Sequence, residues 1–201
     1  MKIINIILVS ALCLLMVTEI TAQQTHKTGT TAAQVLKLNV GPRAIGMGGA
    51  FTATSDDITA FYWNPGGIAN IRTTEAIFNH NTLYADIGLD FAGFATYIDG
   101  FGTLGAFVSN LSMDEMPVRT LERPQGTGEY FKVGAIVLGV GYSRFLTDQF
   151  SIGFNAKYIS ETIYNMSADA IAFDIGVMYR LPLFNQLRIA ASISNFGPKM
   201  K

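Results

Sequence analysis

The residues of this chain that could carry out chemistry are few and far apart. Histidine occurs twice, at His26 and His80, and cysteine once, at Cys13. Two imidazoles are too few for a histidine metal cluster, and a single thiol makes neither a disulfide nor a thiolate zinc site. Serine, histidine and aspartate are all present, but no Gly-x-Ser-x-Gly nucleophile motif accompanies His80. That histidine is expected in a strand, satisfied by a neighbour on the inner face. Asp56 and Asp57 could take calcium, although carboxylates just before an apolar helical stretch are better explained as helix-start charges. Gly46-Met47-Gly48-Gly49 resembles a phosphate loop, yet no Lys-Ser or Lys-Thr follows it. The expectation is a non-enzymatic protein with no metal and no cofactor.

Other polar residues group by position rather than by reaction. Asp114, Glu115, Arg119, Glu122 and Arg123 crowd one long loop. Loops held by a rigid scaffold commonly bind partners, so Arg119, Glu122 and Arg123 are candidates for protein docking. Asn155, Lys157, Asp174 and Arg180 fall on the small or polar face of strongly alternating segments. Buried charges need partners, and Lys157 and Asp174 are expected to lie within salt-bridge reach, facing each other across adjacent strands.

The elements that would position these residues are strands. The 201 residues hold 49% hydrophobic but only 14% charged residues, against about 25% charged in an ordinary soluble domain. The 14 basic and 15 acidic residues leave no basic excess, which argues against nucleic acid as a partner. Mean hydropathy is +0.30. The only long apolar run lies at residues 3–17, behind Lys2 and ahead of a small-residue exit at Ala22. It reads as a signal peptide over residues 1–22, a span that includes Cys13.

Beyond it, hydrophobicity is cut into pieces of about ten residues that alternate with period two, as strands with one apolar and one small or polar face do. About seven strands are expected, at 75–84, 88–98, 101–110, 129–146, 150–162, 168–181 and 187–197. Their length suits tilted bilayer-crossing strands of about 9–11 residues. Asp99-Gly100 predicts a two-residue hairpin turn, and the 147–149 and 182–186 connections are also short and on the same side. The loop at 111–128 and the 163–167 connection lie on the other side, an arrangement typical of outer-membrane barrels. Tyr142 and Tyr179 would then sit near the short-turn side, with Tyr158 near the other. The expected fold is all-β, an antiparallel transmembrane β-barrel. A soluble β-sandwich would want more charge on its outward face.

Residues 23–74 form a glycine-rich segment between the leader and the first expected strand. Its glycines, Gly46, Gly48 and Gly49, are expected to let backbone approach backbone. Ser55 or Asp56 would cap a short helix carrying Ile58, Phe61 and Tyr62, which ends at Asn64 because Pro65 follows.

Three motifs carry a resemblance. The first is Gly41-Pro42-Arg43-Ala44 through Gly46-Met47-Gly48-Gly49-Ala50, followed by Tyr62-Trp63-Asn64-Pro65-Gly66-Gly67-Ile68-Ala69. The second is Pro124-Gln125-Gly126-Thr127-Gly128-Glu129-Tyr130-Phe131, and the third is Asn155-Ala156-Lys157-Tyr158-Ile159 after Leu146-Thr147-Asp148. Together they resemble the PorV/PorQ outer-membrane family, which is similar to the FadL-type fatty-acid channels. The resemblance makes residues 23–74 an N-terminal plug centred on Asn64-Pro65-Gly66, although Gly66 stands where alanine is common. It implies a bacterial outer-membrane location in contact with lipid, and a role in type IX secretion, binding translocated cargo C-terminal domains and secretion-system proteins for surface attachment. The alternative is a FadL-like channel for long-chain fatty acids or other hydrophobic solutes. The odd strand count and the end at Phe196-Gly197-Pro198-Lys199-Met200-Lys201 suggest an incomplete barrel, residues 75–201 forming about its first half.

Overall fold

In the computed structural model the described residues are 32–183 and 186–200. The expected leader, Cys13 and His26 lie outside them. Seven long strands form one antiparallel sheet in the order β1-β2-β3-β6-β7-β8-β9. They are β1 (Glu75–Thr82), β2 (Gly88–Ile98), β3 (Gly102–Ser112), β6 (Val133–Phe145), β7 (Phe150–Ile163), β8 (Met166–Arg180) and β9 (Arg188–Phe196). A small separate hairpin, β4 (Met116–Pro117) with β5 (Tyr130–Phe131), lies within the long loop between β3 and β6. The chain is therefore all-β, every long strand pairing with its sequence neighbours. Among the described residues the sheet is open, with β1 and β9 at its edges. No described helix is long and apolar enough to cross a membrane.

The period-two pattern is realised residue by residue. On β7, Ser151, Gly153, Asn155, Lys157 and Ile159 are buried while Phe154 and Tyr158 are exposed. On β8, Ala172, Asp174, Gly176 and Met178 are buried while Ile171, Phe173, Ile175 and Tyr179 are exposed. The inner face is covered by the N-terminal segment, which contains two short helices, α1 (Pro42–Gly46) and α2 (Ala60–Trp63), and 3-10 turns at Gln34–Lys37 and Pro65–Asn70. Its apolar side chains Val35, Val40, Ile58, Phe61, Ile68 and Ile71 form one core with Leu89, Phe91, Phe107, Val137 and Ile159 of the sheet. Phe107 stacks on both Phe61 and Phe91, with ring centroids 5.5 and 5.8 Å apart.

Glycine on the sheet allows this segment to sit so close. A Cβ added at Gly153 would lie 2.1 Å from the Pro65 carbonyl oxygen, and one at Gly176 would lie 2.0 Å from Asn64 Oδ1. At Gly139 and Gly141 it would strike the rings of Phe107 and Phe61. The close-approach role expected of Gly46, Gly48 and Gly49 belongs instead to these strand glycines. A Cβ at Gly46 or Gly48 would meet nothing within 4 Å, and Gly48 and Gly49 take φ of +64° and +82°. They serve a left-handed turn after α1 rather than packing.

Several local expectations shift for physical reasons. The β2–β3 hairpin has three loop residues, not two. Its turn is closed by Phe101 N–H to the Ile98 carbonyl at 3.1 Å, with only Gly100 at positive φ, +72°. A two-residue turn of the expected type needs positive φ at both positions, and Asp99 does not supply it. The 163–167 connection is a two-residue turn, Tyr164 and Asn165, since Ile163 pairs with Met166. Helix α2 begins later than expected, and neither Ser55 nor Asp56 caps it. Ser55 Oγ donates to the Thr52 carbonyl, and Asp57 accepts from Thr59 N at 2.9 Å. The helix does stop at Asn64, which is extended at φ −159°, ψ 102°.

Because backbone fills the space above Gly153, Gly153→Ala is expected to destabilise the fold by about 1–3 kcal/mol through overpacking. Gly46→Ala should shift stability by no more than about 0.5 kcal/mol. Denaturant unfolding of the two variants beside the parent tests the contrast.

Candidate functional site

A densely built polar site lies where the N-terminal segment meets β7 and β8. Asn64 Nδ2 donates to the carbonyls of Thr52 at 2.9 Å and Val177 at 3.2 Å, while its Oδ1 accepts from Gly66 N at 3.0 Å. Ser151 Oγ donates to the Gly66 carbonyl at 2.8 Å. One asparagine therefore ties two segments of its own chain to β8. Pro65 and Gly66 continue the turn at a height only glycine permits: a Cβ at Gly66 would lie 2.8 Å from the Gly176 carbonyl oxygen.

Next to this seam, Lys157 Nζ and Asp174 Oδ1 form a buried ion pair at 2.8 Å. The register differs from the facing pair expected. Asn155 stands opposite Asp174 and Lys157 opposite Ala172, so the pair closes diagonally. The tight Tyr164-Asn165 turn accounts for the two-residue offset. Asp174 also accepts from Asn195 N at 2.7 Å and from Asn155 Nδ2 at 3.3 Å, and Lys157 Nζ donates to Asn195 Oδ1. Asn195 adopts φ +62° beside an irregularity in the β8–β9 register. That left-handed geometry, which asparagine tolerates, turns its amide and its backbone N–H toward the pair. Asn155 Nδ2 also donates to the Phe61 carbonyl at 2.6 Å, linking the cluster to α2.

A second network fastens the N-terminal segment to the sheet edge. Arg43 contacts Asp56 at 2.9 Å and Asp57 at 2.6 Å, and Arg188 on β9 contacts Asp56 at 3.2 Å. Burial works against the Asp56 carboxylate, but hydrogen bonds from Arg43 and Arg188 outweigh it and hold its pKa below the usual range. The hydrogen bond to Asp56 in turn raises Arg43. Tyr62 donates to the Leu36 carbonyl at 2.8 Å, and burial pushes its phenol up to about 12. Trp63 Nε1 donates to the Val40 carbonyl at 2.9 Å.

The other sequence candidates are scattered. Arg180 is half-buried at the end of β8 and donates to Asn70 Oδ1. Arg119, Glu122 and Arg123 are exposed in the loop that contains β4 and β5. His80 is on the outer face rather than the inner one, because Ile77 and Asn79 take the inward positions of β1. Its Nδ1 lies 2.7 Å from Asp90 Oδ1. Among the described residues no group of three or more His, Cys, Asp or Glu could hold a metal ion. Asn64 and Asn195 have larger structural roles than the sequence signalled. The Asn-Pro step marked Asn64, whereas nothing in the local pattern of β9 marked Asn195.

Removing one member of the ion pair leaves the other charge buried. Lys157→Ala should cost about 3–5 kcal/mol, while Lys157→Met with Asp174→Leu should recover much of that loss. Unfolding free energies of the single and double variants provide the check.

Comparison with known proteins adds one finding. No curated protein matches the chain. Residues 10–131, more than half of it, match a family described as Uncharacterised protein family (UPF0164), in a span that holds α1, α2 and the strands from β1 to β5. The chain belongs to the UPF0164 family.

Proposed function

We propose that the sheet is the wall of an outer-membrane β-barrel with the N-terminal segment as a fixed plug, and that the protein works by binding rather than catalysis. The observation that carries this reading is the outer face. Phe94, Leu104, Leu138, Val140, Phe154 and Phe173 are all exposed on it, and the charged residues of that face, Asp90, Arg144 and Asp169, fall toward the strand ends. Such a surface is costly in water and natural in lipid. Tyr142 and Tyr179 reach toward the short-turn end, donating to the Phe101 carbonyl at 2.6 Å and to Gln149 Oε1 at 3.0 Å, as interfacial aromatic residues do.

The plug bears on which binding role to choose. A channel for hydrophobic solutes would need this segment to move, yet it is held by backbone contacts at Gly153 and Gly176 and by the Asn64 bonds. That favours a closed scaffold presenting loops. With the PorV/PorQ resemblance, the reading becomes a non-enzymatic component of type IX secretion, binding cargo C-terminal domains or secretion partners for surface delivery. The FadL-like channel is the lesser reading.

Two experiments follow. In lipid, Val140→Arg should weaken folding into phospholipid vesicles by about 2–4 kcal/mol, whereas at an exposed site in water it should change stability by no more than about 0.5 kcal/mol. An effect of the smaller size refutes the lipid-facing assignment. For the docking role, Arg119→Ala with Glu122→Ala and Arg123→Ala should leave the fold intact and reduce binding of a purified type IX cargo C-terminal domain. Undiminished binding, or none by the parent, rejects these loop residues as the contact.

A further inference from the structure

At the short-turn end, away from the buried ion pair and the loop candidates, arginines gather without carboxylate partners. Arg72 follows the N-terminal segment just before β1. Its guanidinium lies between two rings, 5.0 Å from the centroid of Tyr97 and 4.9 Å from that of Phe145. Arg180 approaches the same Phe145 ring at 5.6 Å. Neither arginine has a carboxylate oxygen within 4.0 Å among the described residues.

The fold leaves this charge uncompensated. Arg188 stands directly opposite Arg180 across β8 and β9, and like charges so placed repel. Asp56 is bound to Arg188 and Arg43 instead. Arg180 spends one donor on Asn70, and its Nε is buried with no hydrogen-bond partner among the described residues. A buried guanidinium donor without an acceptor is expensive unless something supplies one.

Arg72 and Arg180 line one cavity of ≈ 390 Å³ together with Asn70, Phe145, Thr147 and Asp148. The aromatic rings hold the guanidiniums in place, so a ligand need not order two long side chains. Planar guanidinium forks match oxyanion geometry. Asp148 is the opposing charge in the cavity; it reduces the positive field without cancelling two arginines.

We propose that this cavity binds a phosphate group through Arg72 and Arg180. The phosphate comes either from a free anion or from a phospholipid headgroup at the rim. Both sources share the chemistry, and the cavity size admits either.

The test uses the purified full chain in non-ionic detergent, titrated calorimetrically with inorganic phosphate and, separately, with dihexanoyl phosphatidic acid. Saturable binding of at least one probe is expected. Arg72→Gln, at an exposed position, should weaken it roughly tenfold or more, and Arg72→Lys should recover only part of the loss, since it keeps the charge without the fork. Asp148→Asn should tighten binding, an effect that a merely misfolded variant would not produce. Phosphate bound as tightly as the lipid supports a free anion; lipid bound at least tenfold more tightly supports a headgroup. The proposal is overturned if the parent binds neither probe, or if binding is unchanged in Arg72→Gln.

Discussion

The contact on which the rest of the structure depends is backbone against backbone, where the Asn64-Pro65-Gly66 turn lies on β7 and β8. Most sheets are covered by side chains, which hold the covering layer about 10 Å away. Here glycines at 153 and 176 remove that spacer, and the Pro65 carbonyl and Asn64 side chain occupy the space a Cβ would need. Brought this close, the polar atoms of the turn must find partners or lose free energy. Asn64 meets that requirement by binding the Thr52 and Val177 carbonyls and the Gly66 amide at once. Ser151 meets the Gly66 carbonyl in the same way.

The polar cluster beyond this seam follows from the same closeness. Once Phe61 is seated against Phe107, its carbonyl points into the interface and needs a donor. Asn155 supplies one, and its position opposite Asp174 brings a carboxylate into a region sealed from water. A lone buried carboxylate would be strongly disfavoured, so Lys157 and Asn195 are needed to complete its shell. The irregular β8–β9 register is the local distortion that lets Asn195 reach. Packing, hydrogen bonding and charge pairing here form one chain of requirements starting at two glycines.

Much of this was legible in the sequence, for a definite reason. Period-two alternation is read directly from residue types, so the seven strands and their two faces fall close to where the pattern puts them. Asn155, Lys157, Asp174 and Arg180 all lie on the face that the alternation assigns them. What failed was fine geometry. The turn after β2 and the one after β7 each differ in length from expectation, and a change in turn length moves register by whole residues. The glycine assignments were partly exchanged for a similar reason. A Gly-rich cluster draws the eye, but it serves only its own turn, while single glycines inside strands mark where another backbone approaches. Asn195 was invisible because its role depends on a distortion between two strands.

The two faces of the sheet make opposite demands, and this tension constrains any account of function. The inner face is covered from within the chain, by the N-terminal segment, glycine seams and paired charges, and among the described residues it leaves Asn79 Nδ2, Asn155 Oδ1 and Arg180 Nε without a hydrogen-bond partner. The outer face offers large apolar side chains with nothing among the described residues to cover them. A protein in water buries its apolar surface and solvates its charge; this chain buries Lys157 and Asp174 and exposes Phe94, Val140 and Phe154. That inversion has a physical sense if the solvent outside the sheet is hydrocarbon. The interior is then filled by the apolar side chains of the N-terminal segment and, along the glycine seam, by its backbone. The N-terminal segment, held by such contacts, has little freedom to slide, and the seam ends at the long loop on one side and the arginine-lined rim on the other.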